Sequence, residues 1–149
     1  MPHSYARIAI HLIFSTKYRR PIIPDDLRGE LQAYIIGILR NLDSPSINTN
    51  SSSDHVHSLF LLSRKQALEH VVEEVKRGSS KLLKTKGARF ADFHWQVGYA
   101  AFSVAQDDIE SVSAYIDNQQ EHHKQVSFTD EIRTIFEECG YPLDEHFFD

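Results

Sequence analysis

The chain has 149 residues and a mass of 17.2 kDa, with 41% hydrophobic and 25% charged residues, the make-up of one globular domain. Its lone cysteine, Cys139, excludes an internal disulfide framework and a Cys-based zinc finger, and no apolar run reaches the roughly 18 residues of a membrane helix. The net charge of −5 conceals an asymmetry: residues 1–100 carry +5 and residues 101–149 carry −10, which suits a polyanion on one face as well as ordinary solvated surface.

The opening, MPHSYARIAIHLIF, has no apolar signal core followed by a small-residue cleavage site. Residues 5–15, YARIAIHLIFS, alternate and then run apolar, which predicts a buried strand. STKYRRPIIP follows as a basic loop closed by two prolines. Asp25 or Asp26 is expected to cap a helix running to about residue 41. Its apolar positions Leu27, Leu31, Tyr34, Ile35, Ile38 and Leu39 recur at spacings of three and four, one stripe facing a core.

NLDSPSINTNSSSD holds at most a short strand at 46–49 before a polar loop, and DHVHSLFLL at 54–62 predicts another strand. A helix is expected over 66–86 with Leu68, Val71, Val72, Val75, Leu82 and Leu83 inward; Gly78 within it implies close packing or a bend. Residues 90–104, FADFHWQVGYAAFSV, read as a strand interrupted near Gly98. A third helix starts at Asp107–Asp108 and runs through DDIESVSAYIDNQQEHHKQ. The acidic tail holds a short helix near 129–138 and a turn at 140–142. The order predicts an α+β fold, the ferredoxin-like (RRM-like) βαββαβ sandwich with an antiparallel sheet and an added C-terminal helix. It forms one domain over 1–149, with a core at 5–125 and an acidic tail at 126–149.

His55-Val56-His57 is the sharpest local feature. Alternate side chains of a strand share a face, so the two imidazoles point the same way, roughly 6.5–7 Å apart, while Val56 points to the core. They can share one metal ion, or form a polar strand face. Tyr115 and Gln119 lie at i, i+4 on the third helix, roughly 6 Å apart on one face that His122 and His123 extend. His11 reads as a core histidine, His70 and His94 have no ligand spacing, and His3 and His146 read as terminal surface residues. There is no phosphate-binding glycine loop and no GxSxG elbow, and the acidic surroundings of Cys139 argue against a thiolate nucleophile. Lys17, Arg19 and Arg20 flank the aromatic Tyr18, suiting phosphates and stacked bases. Lys76, Arg77, Lys81, Lys84 and Lys86 form a second basic group on the second helix.

Four blocks, HLIFSTKYRRPII at 11–23, DHVH at 54–57, FHWQVGYAAFSV at 93–104 and YIDNQQEHH at 115–123, occur in an order and spacing that resembles the single-tyrosine HUH transposases of small insertion sequences, the TnpA-like or IS200-like family. The resemblance spans about residues 5–125. The sequence departs from the family at Ser58, where an apolar residue is usual, at Ala100, where glycine is common, and in the polar stretch 48–53. The resemblance implies a ferredoxin-like core, a homodimer and single-stranded DNA with hairpins as substrate. It implies His55, His57 and Gln119 as ligands of Mg²⁺ or Mn²⁺ and Tyr115 as the nucleophile. The activity it implies is metal-dependent cleavage and rejoining of element ends through a 5′-phosphotyrosine, in the cytoplasm of a bacterial or archaeal cell. Candidate DNA contacts are Lys17, Arg19, Arg20, Lys81 and Lys84. Two other readings stay open: a domesticated nuclease of chromosomal hairpins, and a non-catalytic nucleic-acid-binding module of the same fold. In the family the tyrosine helix often completes the active site of the partner subunit, so the resemblance implies that Tyr115 serves its own or a neighbouring site.

Overall fold

The computed structural model describes residues 3–149. Its elements in order are β1 (Ala9–Ser15), α1 (Asp25–Asn41), β2 (Ser46–Ser51), β3 (His55–Leu61), α2 (Leu68–Lys84), β4 (Ala100–Val104), α3 (Ile109–Asp117), α4 (Gln119–His122) and α5 (Phe128–Glu138). The four strands make one antiparallel sheet in the order β2-β3-β1-β4. Each of the two βαβ units therefore has another strand inserted between its own pair, which is the ferredoxin-like α+β arrangement.

The central strands β1 and β3 are covered on both faces, and their alternation separates two layers. Ile10, Leu12, Phe14, Val56 and Phe60 pack against Leu31, Ile35 and Leu39 of α1 and Val71, Val72, Val75 and Leu83 of α2. Fully burying one such side chain contributes about 1.5–3 kcal/mol. Ile13 and Ala100 of the sheet join a second apolar group with Phe128, Ile132 and Phe136 of α5 and with Phe148. The helices α1 and α2 meet closely at Gly78, where a Cβ would come within 2.6 Å of Ile38 Cδ1. Tyr34 departs from the expected inward stripe and is 44% exposed, since the inward positions of α1 are filled by Leu31, Ile35 and Leu39.

The expected elements change in five places. Strand β1 begins at Ala9 rather than at residue 5, because its partners on both sides, Leu61 and Val104, end there. Helix α1 has Pro24, not Asp25 or Asp26, at its N-cap; both aspartates fall in the first helical turn, where they favour the helix dipole. Strand β2 extends to Ser51, a polar edge strand whose Thr49 hydroxyl hydrogen-bonds those of Ser46 and Ser58 at 2.8 Å each. This satisfies the buried Ser58 and keeps β3 intact despite its polarity.

Of the expected strand at 90–104, only Ala100–Val104 forms, with one isolated bridge from Trp95 to Thr16. Trp95 turns into the core between Phe14 and Phe93, with ring centroids 4.8 Å apart in each pair, and its indole N–H donates to Ser79 Oγ at 3.0 Å. Lys76 Nζ then donates to the carbonyls of Gln96 (2.6 Å) and Gly98 (2.9 Å), which are thereby lost to a ladder. The third helix divides at Asn118 into α3 and α4.

Candidate metal centre and tyrosine site

The second face of the sheet carries His11, His55 and His57, roofed by α3, α4 and α5. Antiparallel register sets Ser15 opposite His55 and Ile13 opposite His57. His11 lies diagonally from His57, and its Nε2 is 2.8 Å from His57 Nδ1. That contact fixes the His57 ring with Nε2 directed inward. The His55 ring is fixed from outside as well: its Nδ1 lies 2.6 Å from Asp54 Oδ1 and 2.7 Å from Ser52 Oγ. A carboxylate on the outer nitrogen sets the tautomer and leaves Nε2 with a free lone pair, the orientation that metal-binding histidines require.

Helix α3 is tied to the sheet by the asparagines of β2. Asn48 Nδ2 donates to Ser113 O (2.9 Å) and Asp117 Oδ1 (2.8 Å), and Asn50 Nδ2 donates to Ile116 O (2.8 Å). These bonds bracket Tyr115 and hold it beside His57 of its own chain, with ring centroids 5.8 Å apart. Despite the break at Asn118, Tyr115 and Gln119 keep a common face. Tyr115 OH and Gln119 Nε2 both donate to Glu131 Oε2, the latter at 2.9 Å. Gln119 Oε1 lies 3.1 Å from His55 Nε2 and 2.9 Å from His123 Nε2. The structure thus brings His55, His57, Tyr115 and Gln119 together.

Glu131, in the segment read as an acidic tail, sits at the middle of the cluster. Its Oε1 lies 3.3 Å from His57 Nε2, 3.6 Å from His55 Nε2 and 3.0 Å from His123 Nε2. It lies on the apolar stripe of α5, three residues after Phe128 and one before Ile132. A carboxylate on an inward stripe was the sequence signal for it. His11 was also missed as a site residue; its signal is the shared strand face with Ile13 and Ser15.

His55, His57 and Glu131 are all buried and offer ligand atoms within 4.8 Å of one another. His55 Nε2, with Asp54 on its other ring nitrogen, turns toward Gln119 Oε1 and Glu131 Oε1, two acceptors that share the single ring nitrogen of His123. A divalent cation among them would meet ligand atoms of all three, so the residues present fit the metal that the sequence resemblance implies. His122 Nε2, buried without a hydrogen-bond partner and 3.6 Å from Glu131 Oε2, points at the same cluster.

Burial pushes the Tyr115 phenol above its usual range, and the Glu131 carboxylate adds to the shift. Burial opposes the charge of Glu131, yet hydrogen bonds from His123 and His57 outweigh it and hold the carboxyl below the ordinary carboxylate range. Burial lowers His57 to about 4 and His11 to about 3 from 6.5. Burial also works against His123, but its bond to Glu131 prevails and raises it.

These shifts predict an acid-sensitive fold in metal-free protein. Below about pH 6.5 the unfolded chain protonates His11 and His57, which the folded chain keeps neutral, so stability falls as the pH drops toward 4. Below about 4.5, unfolded carboxylates take up protons that Glu131 refuses, and the loss steepens. His123 acts oppositely, contributing stability below 6.5, but one imidazole does not offset two. The melting temperature in EDTA is expected to drop by about 5–10 °C between pH 7 and pH 4.5. A constant or rising value would mean that the two histidines are charged in the fold.

The sequence-predicted cations occupy two separate places. Lys17–Arg19 forms a single 3₁₀ turn directly after β1, next to the His55 end of the sheet, with Tyr18 (φ 58°) and Arg19 (φ 57°) in left-handed conformation. Tyr18 is 55% exposed, with Lys17 Nζ and Arg20 Cζ 5.4 and 5.7 Å from its ring centroid. Arg19 Nη1 instead donates to Phe148 O at 2.6 Å. Lys81 and Lys84 are exposed on α2, in the helical layer opposite the histidine face.

The family described as IS200-like transposase matches residues 4–119. The chain is 22% identical over 120 residues to the ISDra2 transposase TnpA of Deinococcus radiodurans, covering 77% of this chain and 86% of that protein. Its fold is similar to the crystal structure of a candidate transposase from D. radiodurans R1, with a TM-score of 0.63 and 20% identity over 78% of this chain and 94% of that one. It is also similar to a REP-associated tyrosine transposase bound to a REP hairpin, with a TM-score of 0.60 and 15% identity over 83% and 73% of the two chains. With the family match spanning most of its length, from β1 through the tyrosine helix to Gln119, the chain belongs to the IS200-like transposase family of DNA-processing enzymes.

Proposed function

We propose that the protein cleaves and rejoins single-stranded DNA at hairpin-bearing ends, using Tyr115 as nucleophile and a divalent cation, Mg²⁺ or Mn²⁺, held by His55, His57 and Gln119. The observation that carries this reading is the convergence of two oriented imidazoles, an amide oxygen and a phenol within one buried cluster. The hairpin-bound neighbour supports the choice of substrate.

The Tyr115 oxygen bonds to the scissile phosphorus, the bond from phosphorus to the 3′ oxygen breaks, and the phenolic proton ends on that oxygen. A 5′-phosphotyrosine and a free 3′-OH result. A second 3′-OH reverses the exchange, so strands are rejoined without ATP. The cation, when bound, polarises the phosphate and stabilises negative charge on its oxygens. Asp54 and His11 hold the two imidazoles in their binding orientation. A groove of about 350 Å³ lined by His11, Phe102, Val112, Tyr115, Ile135 and Cys139 gives the tyrosine an open flank.

Mass spectrometry of protein incubated with a hairpin-bearing oligonucleotide and Mn²⁺ tests this reading. A mass increase equal to the 3′-side fragment, mapped to Tyr115, is expected; an unmodified protein beside intact DNA would overturn it. A nuclease with the same site acting on chromosomal hairpins is the second reading, since the same residues would serve either role. Hairpins bordering the gene would favour transposition.

DNA contacts belong to this proposal. Lys17, Arg20 and exposed Tyr18 lie next to the site, Arg19 is partly engaged by Phe148, and Lys81 and Lys84 would serve a DNA segment crossing the opposite layer. Arg19→Glu with Arg20→Glu is expected to weaken binding and to reduce the slope of log K against log salt by about 1–2, measured by fluorescence anisotropy. An unchanged slope excludes the loop from the footprint. A homodimer in a bacterial or archaeal cytoplasm also belongs to this proposal. Within one chain Tyr115 stands beside His57, and a dimer could use the tyrosine in its own or in the partner's site. Among the described residues no helix is long and apolar enough to cross a membrane.

A further inference from the structure

We propose that Glu131 is a ligand of the same divalent cation as His55, His57 and Gln119, so that α5, which lies outside the family-matching span, is part of the metal centre. This rests on the metal reading above.

Three observations carry it. Glu131 is 2% exposed, and its partners are Tyr115, His57, Gln119 and His123, none of them lysine or arginine. A carboxylate buried in this way draws positive charge to it, which the neighbouring imidazole of His123 can supply in metal-free protein and a divalent cation would supply more strongly. Its Oε1 stands 3.3 and 3.6 Å from the inward nitrogens of His57 and His55. Ligands at right angles about an ion at about 2.1 Å lie about 3.0 Å apart, so small side-chain shifts close the polyhedron. Finally, α5 is anchored independently of the carboxylate by Phe128, Ile132 and Phe136 in the second apolar cluster, with the Phe128 ring 4.4 Å from that of His55. Packing therefore delivers the carboxylate to the cation rather than the reverse.

Two imidazoles, one carboxylate and one amide oxygen leave two octahedral positions for phosphate oxygen or water. The set favours Mn²⁺ or Co²⁺ over Mg²⁺, because imidazole nitrogen is a softer ligand than the oxygens Mg²⁺ prefers. The added negative charge also strengthens cation binding in the absence of DNA.

Isothermal titration of the full chain with Mn²⁺, together with the visible spectrum of its Co²⁺ form, tests the assignment in wild type, Glu131→Gln and His57→Ala. Glu131→Gln keeps the size and one acceptor oxygen. It is expected to weaken Mn²⁺ binding at least 10-fold and to shift the Co²⁺ bands, with Glu131→Asp intermediate. Equal or tighter Mn²⁺ binding and an unchanged Co²⁺ spectrum in Glu131→Gln, beside a wild type that binds, would overturn the proposal and make the carboxylate a latch over the cation position. Failure of wild type to bind, or binding that His57→Ala leaves untouched, would overturn the metal reading itself. Far-ultraviolet circular dichroism on metal-free samples separates ligand loss from unfolding.

Discussion

Tyr115→Phe is expected to reduce covalent protein–DNA adduct by on the order of 10⁴-fold or more, to the background of the assay. The change removes one oxygen and nothing else. Ring packing against His57 and His11 is retained, and α3 stays tied to β2 through Asn48 and Asn50. Glu131 loses the phenol as a donor but keeps His57, His123 and Gln119. A lost hydrogen bond to a carboxylate costs about 1.5–3 kcal/mol, so the melting temperature should fall by no more than about 10 °C. Denaturing gel electrophoresis with labelled hairpin DNA reads the adduct, and anisotropy reads binding. Adduct formation that persists in Tyr115→Phe removes Tyr115 from its role as nucleophile.

His57→Ala acts on more of the cluster. It is expected to weaken Mn²⁺ binding at least 100-fold, to abolish cleavage and to destabilise even metal-free protein. His57 is fully enclosed, and its two ring nitrogens connect His11 on β1 to Glu131 on α5. Truncation leaves His11 Nε2 without its partner and opens a cavity between sheet and roof. Unsatisfied buried polar groups cost about 1–3 kcal/mol each, which corresponds to a fall of about 4–10 °C for a chain of this length. The stability change is read in EDTA by scanning fluorimetry and the affinity change by titration calorimetry. Cleavage lost with full Mn²⁺ affinity would mean that the two histidines do not share an ion.

The strands and helices follow from local pattern wherever an element is both long and periodic. The apolar alternation of β1 and β3 and the stripes of α1 and α2 are such cases. His55 and His57 on one face is likewise a local fact, because the side-chain period of a strand is two. Tyr115 and Gln119 on one side of a helix is the corresponding fact for a period near 3.6. The block at 93–104 misled as a strand because its aromatic residues serve the core and its carbonyls serve Lys76, partners that no local pattern reveals.

By itself, then, the sequence determined the α+β order, the two histidines, the phenol and the amide, and the family resemblance that related them. Tertiary structure alone decided that Glu131, 74 residues beyond His57, stands at the centre, that His11 backs His57, and that the Tyr115 ring packs beside that of His57. The reason is physical: a helical or strand period fixes which side chains share a face, whereas the meeting of faces depends on how α3 and α5 pack across the sheet.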